Sequence, residues 1–291
     1  MAFDVVLQLI ISGLLTGGTF VVVAIGLSLV FGVMNILNVA HGALYALGGY
    51  LGYTFSSLLH FPPVASFFLT IAAAFAIGAL LERATIERIK LNTNAVIMLT
   101  FGLAWLIEEV IIFVYGPAYQ GVPGMIQGAI VVAGSIVIAL PRLLAFSVSL
   151  LFAFLLIVFV YRTKTGSAIR VVSFSSELAS LRGINVRRIS MITFGISSAL
   201  VAAAAALIAP TQSVYPDVGW DPLLNSFVIV ILGGMGSLLG TIVGGLLYGV
   251  VFVLGGFYVG AQWEEIIVLL MVILVLLLRP SGILGQVVER V

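Results

Sequence analysis

The chain has 291 residues, of which 62% are hydrophobic and only 8% are charged. A soluble domain carries roughly 25% charged residues, so this chain cannot cover a globular surface with polar groups, and lipid must be its solvent. The net charge of +1 gives no indication of nucleic-acid binding, and the lack of cysteine excludes disulfides, a thiol nucleophile and a cysteine-based zinc site.

About nine apolar stretches are candidate membrane-spanning helices, because a span needs about 20 apolar residues. They are roughly Val5–Gly32, Ile36–Leu58, Val64–Leu81, Ala95–Tyr115, Leu143–Tyr161, Ile189–Ala209, Leu223–Met235, Thr241–Leu254 and Glu265–Leu278, with the seventh and eighth short. We therefore predict an all-α polytopic membrane protein with about eight or nine transmembrane helices, forming one integral membrane domain over residues 1–291.

The distribution of Lys and Arg predicts the orientation, because these residues concentrate in cytoplasmic loops. The residues that mark the cytoplasmic side are Arg83, Arg88, Lys90, Arg162, Lys164, Arg170, Arg182, Arg187, Arg188, Arg279 and Arg290. The segments Gly116–Gly124 and Pro210–Pro222 have no Lys or Arg and are expected outside. The N-terminus is thus predicted outside and the C-terminus in the cytoplasm. No basic residue precedes Arg83, so the first helix lacks the basic start of a secretory signal and is expected to remain.

The region before the fifth span is ambiguous by length. Because Gly116 is expected outside and Arg162 inside, an odd number of crossings lies between them, which favours the single helix Leu143–Tyr161. The preceding stretch Ala129–Ile138 has two β-branched runs around Ala-Gly-Ser. It predicts a small outward β-hairpin closed by Pro141, and a short re-entrant helix is the alternative.

Two discontinuous regions interrupt the apolar helices. The residues concerned are Asn35, Asn38, His41 and Gly42 early in the chain, and Gly233, Gly234, Gly236 and Ser237 late in it. Polar groups at membrane depth are tolerated where they pack on protein or line a wet cavity. Paired, glycine-interrupted segments in the two halves of a chain indicate an internal repeat with a substrate pathway at its interface. We predict that these residues line or gate such a pathway.

Three polar positions within the spans have two interpretations each. His41 is either a gate or substrate contact, or a neutral histidine bonded to a carbonyl group at the helix break, which is the favoured interpretation. Glu108 and Glu109 either extend toward water at the outer end of their helix or take part in proton coupling. Adjacent helical residues project about 100° apart, so the two carboxylates cannot face the same way.

The basic loop of about residues 162–188 carries a helix signature. Ser175 and Ser176 followed by Glu177 are typical of a helix start. Gly183 is typical of a helix end, and Leu178 and Leu181 fall on one face between them. The pattern predicts a short amphipathic helix at the cytoplasmic surface that either rests on anionic lipid or docks into a partner protein.

Catalytic motifs are missing from the sequence. There is no phosphate-binding loop of the form GxxxxGK[ST], no HExxH and no GxSxG. We therefore expect that the chain is not an enzyme and does not bind ATP by that route.

Three blocks of sequence resemble the permease subunits of ABC importers of the branched-chain amino acid uptake family. They are NILNVAHGALYALGGY (Asn35–Tyr50), TGSAIRVVSFSSELASLRGINVRR (Thr165–Arg188) and VILGGMGSLLGTIVGGLLYG (Val230–Gly249), and LVLLLRPSGILG (Leu274–Gly285) matches as well. The resemblance covers most of the chain. Ala43 departs from the pattern, since relatives often carry an acidic residue after the His-Gly pair.

The resemblance implies an ABC importer permease bundle in the inner membrane. It implies pairing with a second, related permease, with two cytoplasmic ATPase subunits that hold ATP and Mg, and with an extracytoplasmic substrate-binding protein. Membrane lipid surrounds the chain, and neither a cofactor in this chain nor a nucleic-acid partner is expected. The residues implied in ATPase coupling are Glu177, Ala179, Arg182, Gly183, Ile184 and Asn185.

The function expected from these observations is inward transport of branched-chain or other small amino acids, coupled to separate ATPase subunits. Within the same class, urea or a short-chain amide is an alternative cargo. An ion-coupled secondary transporter and a passive channel are alternatives of other classes, since both would move substrate without ATPase partners.

Overall fold

The computed structural model describes residues 2–89, 93–132 and 136–285. Its helices are α1 (Ala2–Met34), α2 (Ala40–Tyr53), α3 (Pro63–Leu81), α4 (Glu87–Ile89), α5 (Thr93–Tyr115), α6 (Leu140–Arg162), α7 (Lys164–Phe174), α8 (Ser176–Leu181), α9 (Val186–Ile208), α10 (Trp220–Gly233), α11 (Leu238–Tyr258) and α12 (Glu264–Leu278). Two strands, β1 (Ala129–Val132) and β2 (Ile136–Ala139), form a small sheet. Short π-helical turns extend α2 over Thr54–Leu58 and α3 over Glu82–Ile86, and a 3-10 turn, Ala261–Trp263, precedes α12.

Within the described residues, seven helices are long and apolar enough to cross a membrane by themselves. The helices α2 and α10 have 14 residues each, and α2 continues through a π-helical turn of 5 residues. At a rise of 1.5 Å per residue, α10 is only about 21 Å long, so non-helical backbone must complete its path. The prediction of an all-α polytopic membrane protein is confirmed; among the described residues, the predicted eight or nine transmembrane helices are reached by counting α2 and α10 with the seven long ones.

The eighth predicted span is longer than expected. The prediction ended this span at Leu254, whereas α11 continues to Tyr258 and has 21 residues. A Cβ added at Gly255 would lie 2.9 Å from the Ile267 side chain of α12. This glycine therefore serves the close packing of two helices, and it does not end the helix.

The predicted β-hairpin is confirmed. The strands β1 and β2 pair antiparallel, with Ala129 opposite Ala139 and Val132 opposite Ile136. The Ala-Gly-Ser turn, residues 133–135, lies outside the described residues. The Gln8 side chain of α1 donates to the Val137 carbonyl at 3.0 Å and accepts from its N–H at 2.9 Å, so the hairpin lies beside the start of α1.

The bundle has two chemically different ends. The hairpin marks one, called here the hairpin end. Helix α6 starts there and runs to Arg162 at the opposite end, called here the basic end. Among the described residues assigned by sequence to the cytoplasm, the basic end carries Arg83, Arg88, Arg162, Lys164, Arg170, Arg187 and Arg188. Lys90 and Arg290 lie outside the described residues.

Helices α1 and α9 form the centre of the bundle. In the apolar stretch of each of these two helices, 72% of the residues are buried inside the protein, whereas only 11% are buried in the span that contains α12. A seam of small residues joins α1 to α11: a Cβ on Gly17 would lie 2.4 Å from the Gly245 carbonyl oxygen, and one on Gly249 would lie 2.3 Å from the Gly13 carbonyl oxygen. Close backbone approach of this kind is how helices associate tightly in lipid, where no hydrophobic force drives them together.

The basic loop folds into two helices, where the sequence analysis predicted one. The predicted helix is α8, and the unpredicted one is α7. The Thr163 side chain begins α7 by accepting from the Gly166 N–H at 2.9 Å. A Cβ on Gly166 would lie 2.2 Å from the Phe159 carbonyl oxygen, so this glycine lets α7 fold back tightly onto the end of α6.

Candidate functional site: two helix breaks between two cavities

The early break begins where α1 ends. Asn35 has a φ of +54°, a left-handed conformation that asparagine tolerates better than most residues. The chain then turns back along α1, since His41, in the first turn of α2, contacts Val23. Val23 lies eleven residues before Met34, so at 1.5 Å per residue α2 starts about 16 Å back from the end of α1.

His41 is fully buried at this depth, with 0% exposure. Its Nε2 lies 2.9 Å from the Val23 carbonyl oxygen. Because a carbonyl only accepts, Nε2 carries the hydrogen. The Nδ1 atom lies 3.5 Å from Ser197 Oγ, which donates to the Gly26 carbonyl at 2.8 Å. His41 thus helps to join α1, α2 and α9 through carbonyl groups of α1, which is the bonding that its structural interpretation predicts.

The neighbours of His41 in the break have different environments. Asn38 is 1% exposed, and its Oδ1 has no hydrogen-bond partner within the described residues. Its backbone carbonyl accepts from the His41 N–H at 3.3 Å. Gly42 packs against the residue that precedes α10: a Cβ on it would lie 2.6 Å from the Gly219 carbonyl oxygen. Helix α10 therefore starts at the depth of the first turn of α2.

The late break, Gly234–Ser237, separates α10 from α11. Gly234 and Gly236 have φ values of +103° and +80°, which favour glycine, and the Ser237 side chain begins α11 by accepting from the Gly240 N–H at 3.1 Å. The C-terminal segment closes over this break, since the N–H groups of Ile283 and Leu284 donate to the last carbonyls of α10, at 2.9 and 3.1 Å.

At the basic end the late break contacts the last turn of α1, just before the early break. A Cβ on Gly32 would lie 3.4 Å from the Gly236 Cα atom. Beside this contact lies a cavity of about 580 Å³, called here the basic-end cavity. Of the predicted pathway residues, Asn35, Gly236 and Ser237 line it, and Asn38, His41, Gly42, Gly233 and Gly234 do not. Arg170 and Ser173 of α7 form part of its wall.

A second cavity, of about 320 Å³, lies at the hairpin end and is called here the hairpin-end cavity. Its charged lining residues are Arg142, Asp221 and Glu265. None of the functional motifs singled out in the sequence belongs to this cavity. The signal that could have revealed it is Arg142, a basic residue that the charge pattern places on the outer side, away from the cytoplasmic loops.

A closed layer separates the two cavities. Along α1 the hairpin-end cavity reaches Phe20, and the basic-end cavity begins at Ser28. Between them, Val21, Val22, Val23, Ala24, Ile25 and Leu27 are each at most 1% exposed. Eight residues of helix span about 12 Å, and the His41 hydrogen bonds lie within this layer. The two cavities therefore lie on opposite sides of a packed layer, and a molecule could pass from one to the other only if this layer opened.

The two acidic residues of α5 have different environments. Glu108 is half-buried near Trp220, whereas Glu109 is exposed. Neither lines the basic-end or the hairpin-end cavity. Within the described residues, no group of three or more His, Asp and Glu side chains is placed to hold a metal ion.

The short helix α8 presents an exposed apolar face at the basic end. Leu181 is 80% exposed and Leu178 is 49% exposed, whereas Ala179 is fully buried. The Ser175 side chain begins the helix by accepting from the Leu178 N–H at 3.2 Å. Beyond it, Gly183 takes a φ of +74°.

The remaining residues implied in coupling fall into two groups. The Ile184 N–H donates to the Ala179 carbonyl at 3.0 Å, and Asn185 begins α9 by accepting from the Arg188 N–H at 3.0 Å. Glu177 and Arg182 are exposed beside the leucines. The hydrogen bonds of Ala179, Ile184 and Asn185 therefore fix the turn from α8 into α9, whereas Glu177 and Arg182 lie on the exposed surface.

Comparison with known proteins agrees with this architecture. The sequence model of the branched-chain amino acid transport system permease component matches residues 9–276. The chain belongs to this permease family. It is a multi-pass membrane protein, in keeping with its seven long apolar helices within the described residues.

Named relatives cover nearly the whole permease. The chain is 33% identical over 294 residues to the high-affinity branched-chain amino acid transport system permease protein BraD of Pseudomonas aeruginosa, with 96% of each chain covered. It is 29% identical to the LivH permease of the same transport system from Salmonella typhimurium and 28% identical to that from Escherichia coli, again over 96% of each chain. No solved structure gives a significant match.

Proposed function

We propose that this chain is the membrane permease subunit of an ATP-binding-cassette importer that moves branched-chain amino acids into the cytoplasm. The observation that carries the proposal is α8, a capped helix at the basic end whose leucines project from the protein. Full-length similarity to permeases named for branched-chain amino acids supports the cargo. Residues 1–291 form one membrane domain.

The protein lies in the inner membrane, and its basic end faces the cytoplasm. The concentration of arginine at that end supports this orientation. With nine membrane elements, the N-terminus is outside and the C-terminus is in the cytoplasm. The hairpin-end cavity then opens toward the side from which an importer receives its cargo.

The partners are a second, related permease, two cytoplasmic ATPase subunits and an extracytoplasmic substrate-binding protein. ATP and Mg bind to the ATPase subunits, and ATP hydrolysis there supplies the energy for transport. This chain itself catalyses no reaction and carries no cofactor. Leu178 and Leu181 insert into a groove of an ATPase subunit, and Glu177 and Arg182 flank them. Buried apolar anchors of this type dominate the binding energy of protein interfaces.

Movement of α8 passes to the cavities through α9. Ala179, Gly183, Ile184 and Asn185 fix the geometry between these helices, and α9 packs on α1, α2 and α3. The early and late breaks, which approach each other near Gly32 and Gly236, are the points where the bundle bends. Asn35, Gly236 and Ser237 then line the inner half of the pathway. Asn38, His41, Gly42, Gly233 and Gly234 belong to the two breaks that gate it.

Replacement of the most exposed leucine tests the proposal. The variant Leu181→Ser should lose about 2 kcal/mol of docking energy, which weakens ATPase binding about 30-fold. Co-purification of the ATPases from detergent should fall accordingly, and ATP-driven leucine uptake into proteoliposomes should fall with it. The matched control is Ile89→Ser, which changes an exposed apolar residue at the same end but outside α8.

Two results would contradict the proposal. One is equal retention of the ATPases by the Leu181→Ser and Ile89→Ser variants. The other is leucine uptake by this chain alone, driven by a proton or sodium gradient or by the leucine gradient itself, because a secondary transporter or a channel needs no ATPase.

A further inference from the structure

The hairpin-end cavity brings opposite charges together from three helices that are distant in sequence. Arg142 lies in the first turn of α6, Asp221 in the first turn of α10, and Glu265 in the first turn of α12. Within the described residues, the Arg142 side chain makes no hydrogen bond or ion pair. Arg142, Asp221 and Glu265 are all exposed to solvent, so the cavity carries a cation and two anions that a ligand entering from water can reach.

The position of Arg142 is unfavourable for its own helix. The N-terminus of a helix carries a partial positive charge, which favours acidic side chains in the first turn and disfavours arginine. Asp221 and Glu265 follow this preference, and Arg142 does not. The stability of α6 does not explain the arginine, whereas an anionic group bound in the cavity would be attracted by both its guanidinium group and the helix end.

The rest of the lining is divided between polar and apolar groups. Thr16, Thr19 and Tyr215 supply hydroxyl groups, and Phe20 and Phe252 supply apolar surface. Burial, and then the charges of Asp221 and Asp217, raise the pKa of Tyr215 above its ordinary value. The Tyr215 hydroxyl therefore stays protonated at neutral pH and can donate a hydrogen bond.

The size of the cavity limits the ligand. Ligand sites range from about 300 to 1,000 Å³, so a volume near 320 Å³ suits a small molecule. A free amino acid with an aliphatic side chain has the matching chemistry, since it offers one carboxylate, one ammonium group and an apolar side chain. Urea and short amides carry no charge, so they would gain no ion pair from Arg142, Asp221 or Glu265.

We propose that the hairpin-end cavity is a binding site for a zwitterionic aliphatic amino acid, in which Arg142 binds the carboxylate and Asp221 and Glu265 bind the ammonium group. This site would receive the cargo before the closed layer of α1 opens. The choice of an aliphatic amino acid rests on the proposed function, and the charge pattern rests on the cavity alone.

The natural lack of cysteine allows a test that requires no transport. Thr16→Cys places a thiol in the cavity, and Gly121→Cys places one on an exposed segment where an added Cβ meets nothing within 4 Å. Each variant, in right-side-out vesicles with its partner subunits, is labelled with an impermeant maleimide added outside. At a leucine concentration about ten times its Kd, labelling of Thr16→Cys should slow about tenfold and that of Gly121→Cys should not change.

Ligand analogues and charge variants assign the contacts. Leucinamide, which lacks the carboxylate, and 4-methylpentanoate, which lacks the ammonium group, should protect the Thr16→Cys thiol much less than leucine does. Adding Arg142→Gln or Asp221→Asn should raise the leucine concentration needed for half-protection about 10- to 100-fold. Arg142→Lys should restore part of the lost affinity for leucine. Asp217→Asn removes a nearby charge that does not line the cavity and should leave the concentration for half-protection unchanged.

The outcomes separate this inference from the proposed function. Protection by leucine that depends on Arg142, together with uptake that needs no ATPase, would support the site and contradict the importer. ATP-driven leucine uptake with no protection of Thr16→Cys would overturn the site and leave the importer standing. Equal protection by acetamide and leucine, or protection unchanged by Arg142→Gln and Asp221→Asn, would also overturn it.

Discussion

The histidine at the start of α2 shows how a polar residue can serve the fold at the centre of a membrane protein. His41 contacts neither cavity, and its Nε2 donates to the Val23 carbonyl. The Ser197 hydroxyl donates to the carbonyl of Gly26, three residues further along α1. In lipid an unsatisfied polar group is costly, so these bonds fix the depth at which α2 begins.

Replacing this histidine should destabilise the protein. His41→Ala leaves a cavity and removes a donor from a buried carbonyl, which together should cost about 2–5 kcal/mol and lower the thermal midpoint of the purified chain in detergent. His60→Asn is the control: His60 is exposed and has a φ of +55°, which asparagine tolerates, so a change within about 0.5 kcal/mol is expected. A lowered affinity for leucine at unchanged stability in His41→Ala would instead identify His41 as a substrate contact.

At the scale of the element, the seam between α1 and α11 determines how the bundle packs. The glycines at Gly13, Gly17, Gly245 and Gly249 leave no room for side chains. Within each helix the two glycines lie four residues apart, a spacing that lets helix backbones approach closely, and α1 and α11 are the two helices that use it. The short helices obey local rules in the same way, because Ser175 and Gly183 predicted the limits of α8.

A glycine comparison tests this packing. Gly249→Ala would place a Cβ 2.3 Å from backbone atoms of Gly13 and Gly17, and since backbone cannot rotate away, it should cost about 1–3 kcal/mol. Gly102→Ala in α5 meets nothing within 4 Å and should be neutral or stabilising by up to about 1 kcal/mol, because alanine favours helix. Thermal unfolding in detergent measures both, and equal midpoints would contradict the seam.

At the scale of the whole molecule, the distribution of Lys and Arg predicts the orientation of the protein in the membrane. The two cavities depend on where the chain turns back into the bundle at the starts of α2 and α10. The prediction is that Gly121→Cys, near the hairpin end, is labelled by an impermeant reagent only from outside intact cells. Ser173→Cys, exposed in α7 at the basic end, should be labelled only in inverted vesicles. The opposite pattern would reverse the proposed direction of both cavities.

The sequence by itself determined the membrane class, the two breaks, the hairpin and the helix α8, because each depends on composition or on residues close together in the chain. It missed α7, whose position depends on contact between Gly166 and α6. Only the tertiary structure decided that Asn35 and Ser237 share a cavity and that His41 does not. Likewise, Arg142, Asp221 and Glu265 meet only because α6, α10 and α12 start around one cavity, and no local pattern records such a meeting.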